Sequence, residues 1–295
     1  MERISFYDQI AANKRKSYFL MFIVFAVFLL IGYVISMAYD PGSFFFIMIL
    51  AIIFSLSYIL ISYYNSDKIA IASVNARPAS RTEHRQYYDL VEGICLASGL
   101  PMPKLYIMNN EQINAFATGR NPEKAVICVT QGALQKLSKQ ELEGVISHEM
   151  SHIANYDIRF MTLVAVMVGM IAIISEIFLR SLWFRSSGND REGKGNALFL
   201  LIGIVLAILA PIVVQLVQLS ISRKREFTAD ATAVKFTRTP TGLASALKKI
   251  KNDKPMKVNK AVSSLFMSDP ARKKIQSLFS THPDIDTRIR ILEKM

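Results

Sequence analysis

Two cysteines in 295 residues, Cys95 and Cys128, cannot build a disulfide framework, and nothing in the chain demands an oxidising compartment. Charge is scarce as well: 20% of residues are Asp, Glu, Lys or Arg, against 52% apolar and a mean hydropathy of +0.29. With 13 glycines and 10 prolines a collagen-like repeat is excluded, and the apolar content excludes a disordered chain. Acidic residues are outnumbered 23 to 35, leaving a net charge of +12. Histidine is rare, four in all, so its placement is informative. What remains is a membrane protein or an unusually apolar globular one, its basic excess suited to nucleic acid or to an anionic membrane leaflet.

The distribution decides. Residues 17–38 and 43–63 hold no charge, and at about 1.5 Å per residue each spans a hydrocarbon core of roughly 30 Å. Asp40-Pro41-Gly42 between them makes a turn, so the pair reads as a helical hairpin. Residues 160–179 and 197–220 are third and fourth spans, the last containing Pro211, which membrane helices tolerate. A cleaved signal peptide is the rival reading of the first span, since Ser36-Met37-Ala38 is small-x-small. The run is longer than a signal's apolar region, and a second span follows at once. Lys14, Arg15 and Lys16 precede the first span and put the N-terminus in the cytoplasm. Four crossings then leave residues 1–16, 64–159 and 221–295 inside, with 4, 10 and 17 Lys+Arg, against 4 in the outer loop 180–196. Topology accounts for the whole basic complement, and no nucleic-acid partner is needed.

The inner segments read as a globular domain in two parts, 64–159 and 221–295. A helix over 87–98 stops at Gly99, strands run over 104–108, 113–118 and 125–130, and helices over 241–252, 269–279 and 284–294 close the chain. Ser138-x-x-Glu141 opens a further helix running through Asn155.

That helix carries His148-Glu149-Met150-Ser151-His152. Residues four apart share a helix face, so two imidazoles point the same way, as needed to place two nitrogens on one zinc ion. Glu149, one position on, lies beside such an ion without ligating it, where it can take a proton from water and pass it to a leaving amine. By itself the pattern is also compatible with two surface histidines on an amphipathic helix. A catalytic zinc needs a third protein ligand and an open position. Glu226 is the candidate, with Asp230 four residues on to accept a hydrogen bond from the far nitrogen of a bound histidine. The alternative is that Glu226 pairs with the Arg223-Lys224-Arg225 run. Heights favour the ligand: His152 stands 8 residues before the third span and Glu226 6 residues after the fourth, about 12 and 9 Å above one membrane face.

HExxH at His148–His152 followed by Glu226-x-x-Ala229-Asp230 resembles the HtpX family of membrane-bound zinc endopeptidases, of gluzincin type and related to the CAAX prenyl protease. The likeness extends over Asn114-Ala115-Phe116-Ala117-Thr118-Gly119, the N-terminal hairpin and Ser280-Thr281-His282-Pro283 with Arg288. It implies an α+β membrane protein: a mainly helical zincin-type catalytic domain with a small β-sheet, plus four transmembrane helices. It implies zinc on His148, His152 and Glu226, Glu149 as general base, and cleavage of damaged or misfolded membrane proteins at the cytoplasmic face of a bacterial inner membrane. It further implies that Asn114, Ala115, Phe116 and Ala117 form the edge strand against which a peptide pairs, and that His282 with Arg288 steadies the tetrahedral intermediate. From the residues alone His282 is a helix-start histidine before proline. His84 reads as a solvated surface residue, the cysteines as buried thiols, and Glu176 as an interfacial partner of Arg180. Competing functions are an intramembrane protease, a non-catalytic scaffold or chaperone with a structural zinc, and a CAAX-type prenyl protease.

Overall fold

The computed structural model of the chain describes residues 6–39, 41–167, 223–256, 265–268 and 283–295. The expected third span beyond residue 167, the outer loop with Glu176, the fourth span, the helix over 269–279 and His282 lie outside the described residues.

Two long helices open the chain, α1 (Phe6–Tyr39) and α2 (Phe44–Ser73). Within them Ile10–Tyr33 and Phe44–Ser73 are long and apolar enough to cross a membrane. They pack against each other, with Gly32 letting Ala51 approach so closely that a Cβ there would collide with it. Their outer faces expose Phe19, Phe22, Phe45, Phe46 and Ile49, a surface that water does not favour and lipid does. Both helices overrun the apolar segments read from sequence. α1 begins at Phe6 rather than near residue 17, and α2 runs ten residues past Tyr63, bending at Asn65, whose side-chain amide donates to the Ile61 carbonyl.

Beyond the hairpin lies a four-stranded sheet of β1 (Arg77–Pro78), β2 (Lys104–Met108), β3 (Ala115–Thr118) and β4 (Val126–Thr130), ordered β1-β2-β4-β3. The β2–β4 pair is parallel and the other two are antiparallel. β3 and β4 form a hairpin through Gly119, whose φ of 134° and closeness to the Lys124 carbonyl leave no room for a Cβ. Alternation sorts the side chains. Ala115, Ala117, Ile127 and Val129 face one core with α3 (Arg85–Ser98) and α5 (Lys139–Ala154). Phe116, Val126 and Cys128 face a second core with Ala70, Ile71 and Val74 from the end of α2, and with Met161 and Ala165. The sheet therefore lies between the helical domain and the end of the apolar hairpin.

The remaining described helices are α4 (Gln131–Lys136), α6 (residues 157–167), α7 (Arg223–Thr237), α8 (Thr241–Asn252) and α9 (Ile285–Leu292). α7 and α8 both pack on α5. α6 joins α1 and α2 in a third cluster of Leu20, Val24, Tyr58, Phe160, Leu163, Val164 and Met167. Among the described residues the architecture is mainly helical with a small mixed sheet and two candidate membrane helices.

Candidate active site

α5 starts where the sequence places it. The Ser138 hydroxyl accepts from the Glu141 backbone N–H, and the Glu141 carboxylate accepts from the Ser138 N–H. Glu141 also takes hydrogen bonds from Lys249 and Ser245 of α8, so the cap doubles as a helix–helix tie. Two turns on, His148 and His152 present their rings at 89° with Nε2 atoms 3.2 Å apart.

α7 brings the carboxylates. Glu226, Ala229, Asp230 and Ala233 recur at helical spacing and are all buried, the two alanines small enough to let α7 lie close on α5. Glu226 Oε2 stands 3.6 Å from His148 Nε2, and Oε1 stands 3.6 Å from His152 Nε2. Asp230 Oδ1 is 2.9 Å from His148 Nδ1, as the sequence reading expects of Asp230. Of the basic run before Glu226, the Arg225 side chain turns to Asp157 at 3.8 Å and lies over the Phe160 ring.

His152 has a carboxylate of its own, which the sequence reading missed. Tyr156 adopts a left-handed backbone, φ 57°, between α5 and α6. That turn swings Asp157 back until its Oδ2 lies 3.1 Å from His152 Nδ1. The signal was a carboxylate five residues after the second histidine of the pair. What hid it was the turn, made by tyrosine where glycine or asparagine is usual.

These partners settle the protons. A carboxylate only accepts, so each Nδ1 carries a hydrogen, and an imidazole so held, when neutral, turns a bare Nε2 lone pair inward. The 3.3 Å approach of Arg288 Nη2 to His148 Nδ1 is then a contact between two donors rather than a hydrogen bond. Two lone pairs facing each other at 3.2 Å beside a carboxylate repel unless a cation lies among them. The three donor atoms all fall within 4.8 Å of one another. Ligands at about 2.0–2.1 Å in tetrahedral array stand about 3.3 Å apart, close to what is found. The residues thus fit a divalent ion with nitrogen and oxygen ligands.

Where no metal cation lies among them, the same carboxylates draw a proton onto the site instead. Burial and the Arg288 charge oppose a charged His148, yet hydrogen bonds to Asp230 and Glu226 outweigh them and push its pKa up to about 9. Burial would raise Asp230, but the Arg288 charge and its hydrogen bonds hold it at about 2. The site is built to receive positive charge. Glu149 differs: burial lifts its pKa above the usual carboxylate range, with Glu226 adding to the rise, while His148, His152 and the Ala117 N–H oppose it. Among the described residues its Oε1 has no hydrogen-bond partner although it is buried.

Arg288 is brought to the site by α9 and pairs with its carboxylates. Its Nε and Nη2 donate to the two Asp230 oxygens at 2.8 and 2.6 Å. Nη1 donates to the Met267 carbonyl at 3.2 Å and stands 3.4 Å from Glu226 Oε2. It is buried, with 1% of its surface exposed, and all three nitrogens meet protein acceptors. It braces the carboxylates that surround the histidines.

The expected edge strand is also occupied. β3 ends the sheet, and Ala117 touches Glu149, but along its outer side Phe116 pairs antiparallel with Phe266 and the Met267 N–H donates to the Ala115 carbonyl. The Phe116 and Phe266 rings meet at 4.9 Å, and the Asn114 amide donates to the Ser268 carbonyl. The edge Asn114–Ala117 is covered by the chain itself rather than open. Cys128 is buried as expected, its thiol pushed up by burial, whereas Cys95 is half-buried and raised to about 11.

Two helix-borne imidazoles, a glutamate between them and a third donor from a later helix are the outline of a metallopeptidase. Comparison with known proteins agrees. Residues 81–295 match the model of peptidase family M48, and the chain belongs to that family. Within it the chain groups with the HtpX proteases. It is 43% identical to a Protease HtpX homolog of Caldanaerobacter subterraneus subsp. tengcongensis, covering 100% of this chain and 99% of that one. A Protease HtpX homolog of Streptococcus gordonii is 40% identical over 98% of this chain and 99% of its own. Among solved structures, the crystal structure of S. mikatae Ste24p is similar at a TM-score of 0.46 and 19% identity, over 96% of this chain and 66% of that one.

Proposed function

We propose that this protease is a zinc endopeptidase working at the cytoplasmic surface of a membrane, with His148, His152 and Glu226 holding the ion and Glu149 as general base. The observation that carries the reading is the convergence of two bare Nε2 atoms and the Glu226 carboxylate within 4.8 Å, each Nδ1 tied to its own aspartate. When bound, zinc supplies a Lewis acid that polarises the scissile carbonyl and makes a water more acidic. Glu149 takes the proton of the attacking water on Oε1 and delivers it to the departing amine nitrogen, a role that a pKa raised by burial favours. Asp230 and Asp157 hold the two rings in the tautomer that leaves Nε2 bare, and Arg288 keeps Asp230 ionised. An extended peptide pairing with β3 would take the place now held by Phe266 and Met267.

Substrates would be damaged or misfolded membrane proteins, reached from the bilayer in which α1 and α2 sit. The concentration of lysine and arginine in residues 1–16, 64–159 and 221–295 supports a cytoplasmic site. Glu149→Gln, purified in detergent, should retain one zinc per chain and lose cleavage of casein by 10²-fold or more, in line with removal of a general base. Cleavage at the wild-type rate would overturn the assignment.

A further inference from the structure

Asn13 lies on α1, in the turn before the uncharged run begins, and is 4% exposed. Its amide reaches 144 residues along the chain and donates to Asp157 Oδ1 at 2.7 Å. The same Nδ2 donates to the Asn155 carbonyl at 3.1 Å, beside the left-handed turn at Tyr156. Lys14 lies 4.7 Å over the Tyr156 ring, so two successive residues of α1 hold the turn that returns Asp157 to His152. Asp157 has two oxygens and two tasks: Oδ2 takes the His152 Nδ1 proton and Oδ1 takes the Asn13 amide. Besides Asn13, the Arg225 guanidinium stands 3.8 Å from that oxygen, poorly placed for a hydrogen bond, and the Lys16 charge lies near.

We propose that Asn13 is a positioning residue for the metal ligand His152, acting through Asp157, so that the first apolar helix is a working part of the metal site. An imidazole binds a metal well only if its ring is held in the right plane and tautomer, and its carboxylate partner does that only if the carboxylate is itself held. A hydrogen bond to a charged group is among the stronger neutral–ionic contacts, and here it is buried. The proposal rests on the metal-site reading above.

The test uses the full chain in detergent as wild type, Asn13→Ala, Asn13→Asp and Ser17→Ala. Ser17→Ala removes another buried hydrogen bond of α1, to the Asn13 carbonyl, without touching Asp157. Zinc affinity is read by chelator competition, and the ligand field by the visible absorption of the Co²⁺-loaded protein. Asn13→Ala should weaken zinc about three- to tenfold, at or below the low end of what loss of a residue touching a ligand costs, and should shift the cobalt bands. Asn13→Asp, which is nearly isosteric and turns an acceptor toward Asp157, should weaken it further, whereas Ser17→Ala should match the wild type. Wild-type affinity and spectrum in both Asn13 variants would overturn the proposal. Equal losses in Ser17→Ala and Asn13→Ala would also do so, reducing Asn13 to a packing role. A wild-type chain that binds no zinc would instead refute the metal-site reading itself, and this proposal with it.

Discussion

Alanine at Gly144 forces a conflict between two effects of known size. Gly144 sits one turn before His148 on α5, where α8 crosses. A Cβ there would lie 2.5 Å from Leu243 N, 2.8 Å from Leu243 Cα and 2.9 Å from Gly242 C, all backbone atoms that cannot rotate away. Ordinary contact begins near 3.4 Å, so α8 must retreat by roughly 0.9 Å. Gly242 of α8 is equally confined, by the Gln140 carbonyl. Helix propensity favours alanine over glycine by about 1 kcal/mol. Overpacking at backbone contact costs about 1–3 kcal/mol, and the retreat would loosen Leu243, Leu247 and Ile250, which are buried in the main core. The balance is a loss of up to about 2 kcal/mol, a fall in Tm of up to about 8 °C. Thermal unfolding of the detergent-solubilised protein, followed by circular dichroism, reads it directly. A Gly144→Ala protein that is more stable by the propensity gain would show that α5 and α8 are not in backbone contact.

Two other outcomes follow from the same geometry. Glu141 is held at about 2: burial raises it, but hydrogen bonds from Lys249, Ser245 and the Ser138 backbone overcome that. A carboxyl whose folded pKa lies below its unfolded value of 4.5 stabilises the fold above pH 4.5 and loses that contribution as pH falls toward 2. Glu141→Gln should therefore lower stability by about 1–2 kcal/mol at pH 7, with the gap to wild type closing between pH 4.5 and 2; a gap independent of pH would show the charge is immaterial. Phe266→Ala removes the ring packed on Phe116 and weakens the hold on the outer side of β3. If a peptide enters there, KM for an unfolded protein falls with little change in kcat; a KM unchanged or raised would place the substrate elsewhere.

How much was legible follows local physics. The strand at 104–108, the helix at 241–252, the Gly99 stop and the Ser138 cap were readable because propensity, capping and alternation agree there. The grouping of His148, His152 and Glu226 was readable because i,i+4 spacing fixes two histidines on one face, and the Glu226, Ala229, Asp230 and Ala233 face of α7 is periodic. Contacts across the chain were not. Asp157 depends on a left-handed tyrosine, Asn13 on a polar residue 142 positions from the turn it supports, and Arg288 on a buried carboxylate pair. The cover on β3 comes from Phe266 and Met267, where no pattern in sequence announces a strand partner. Helix ends are not marked by hydropathy either, because α1 and α2 outlast their apolar runs where α6 and the sheet give their polar ends something to pack on.

The central claim is that one metal ion is held by two imidazoles and a carboxylate from a later helix. Anomalous diffraction at the zinc absorption edge from crystals of the zinc-loaded protein tests it most directly. A single strong peak within bonding distance of His148 Nε2, His152 Nε2 and a Glu226 oxygen is expected. A peak bound by Cys95 or Cys128, or one that leaves Glu226 out of reach, would contradict the account.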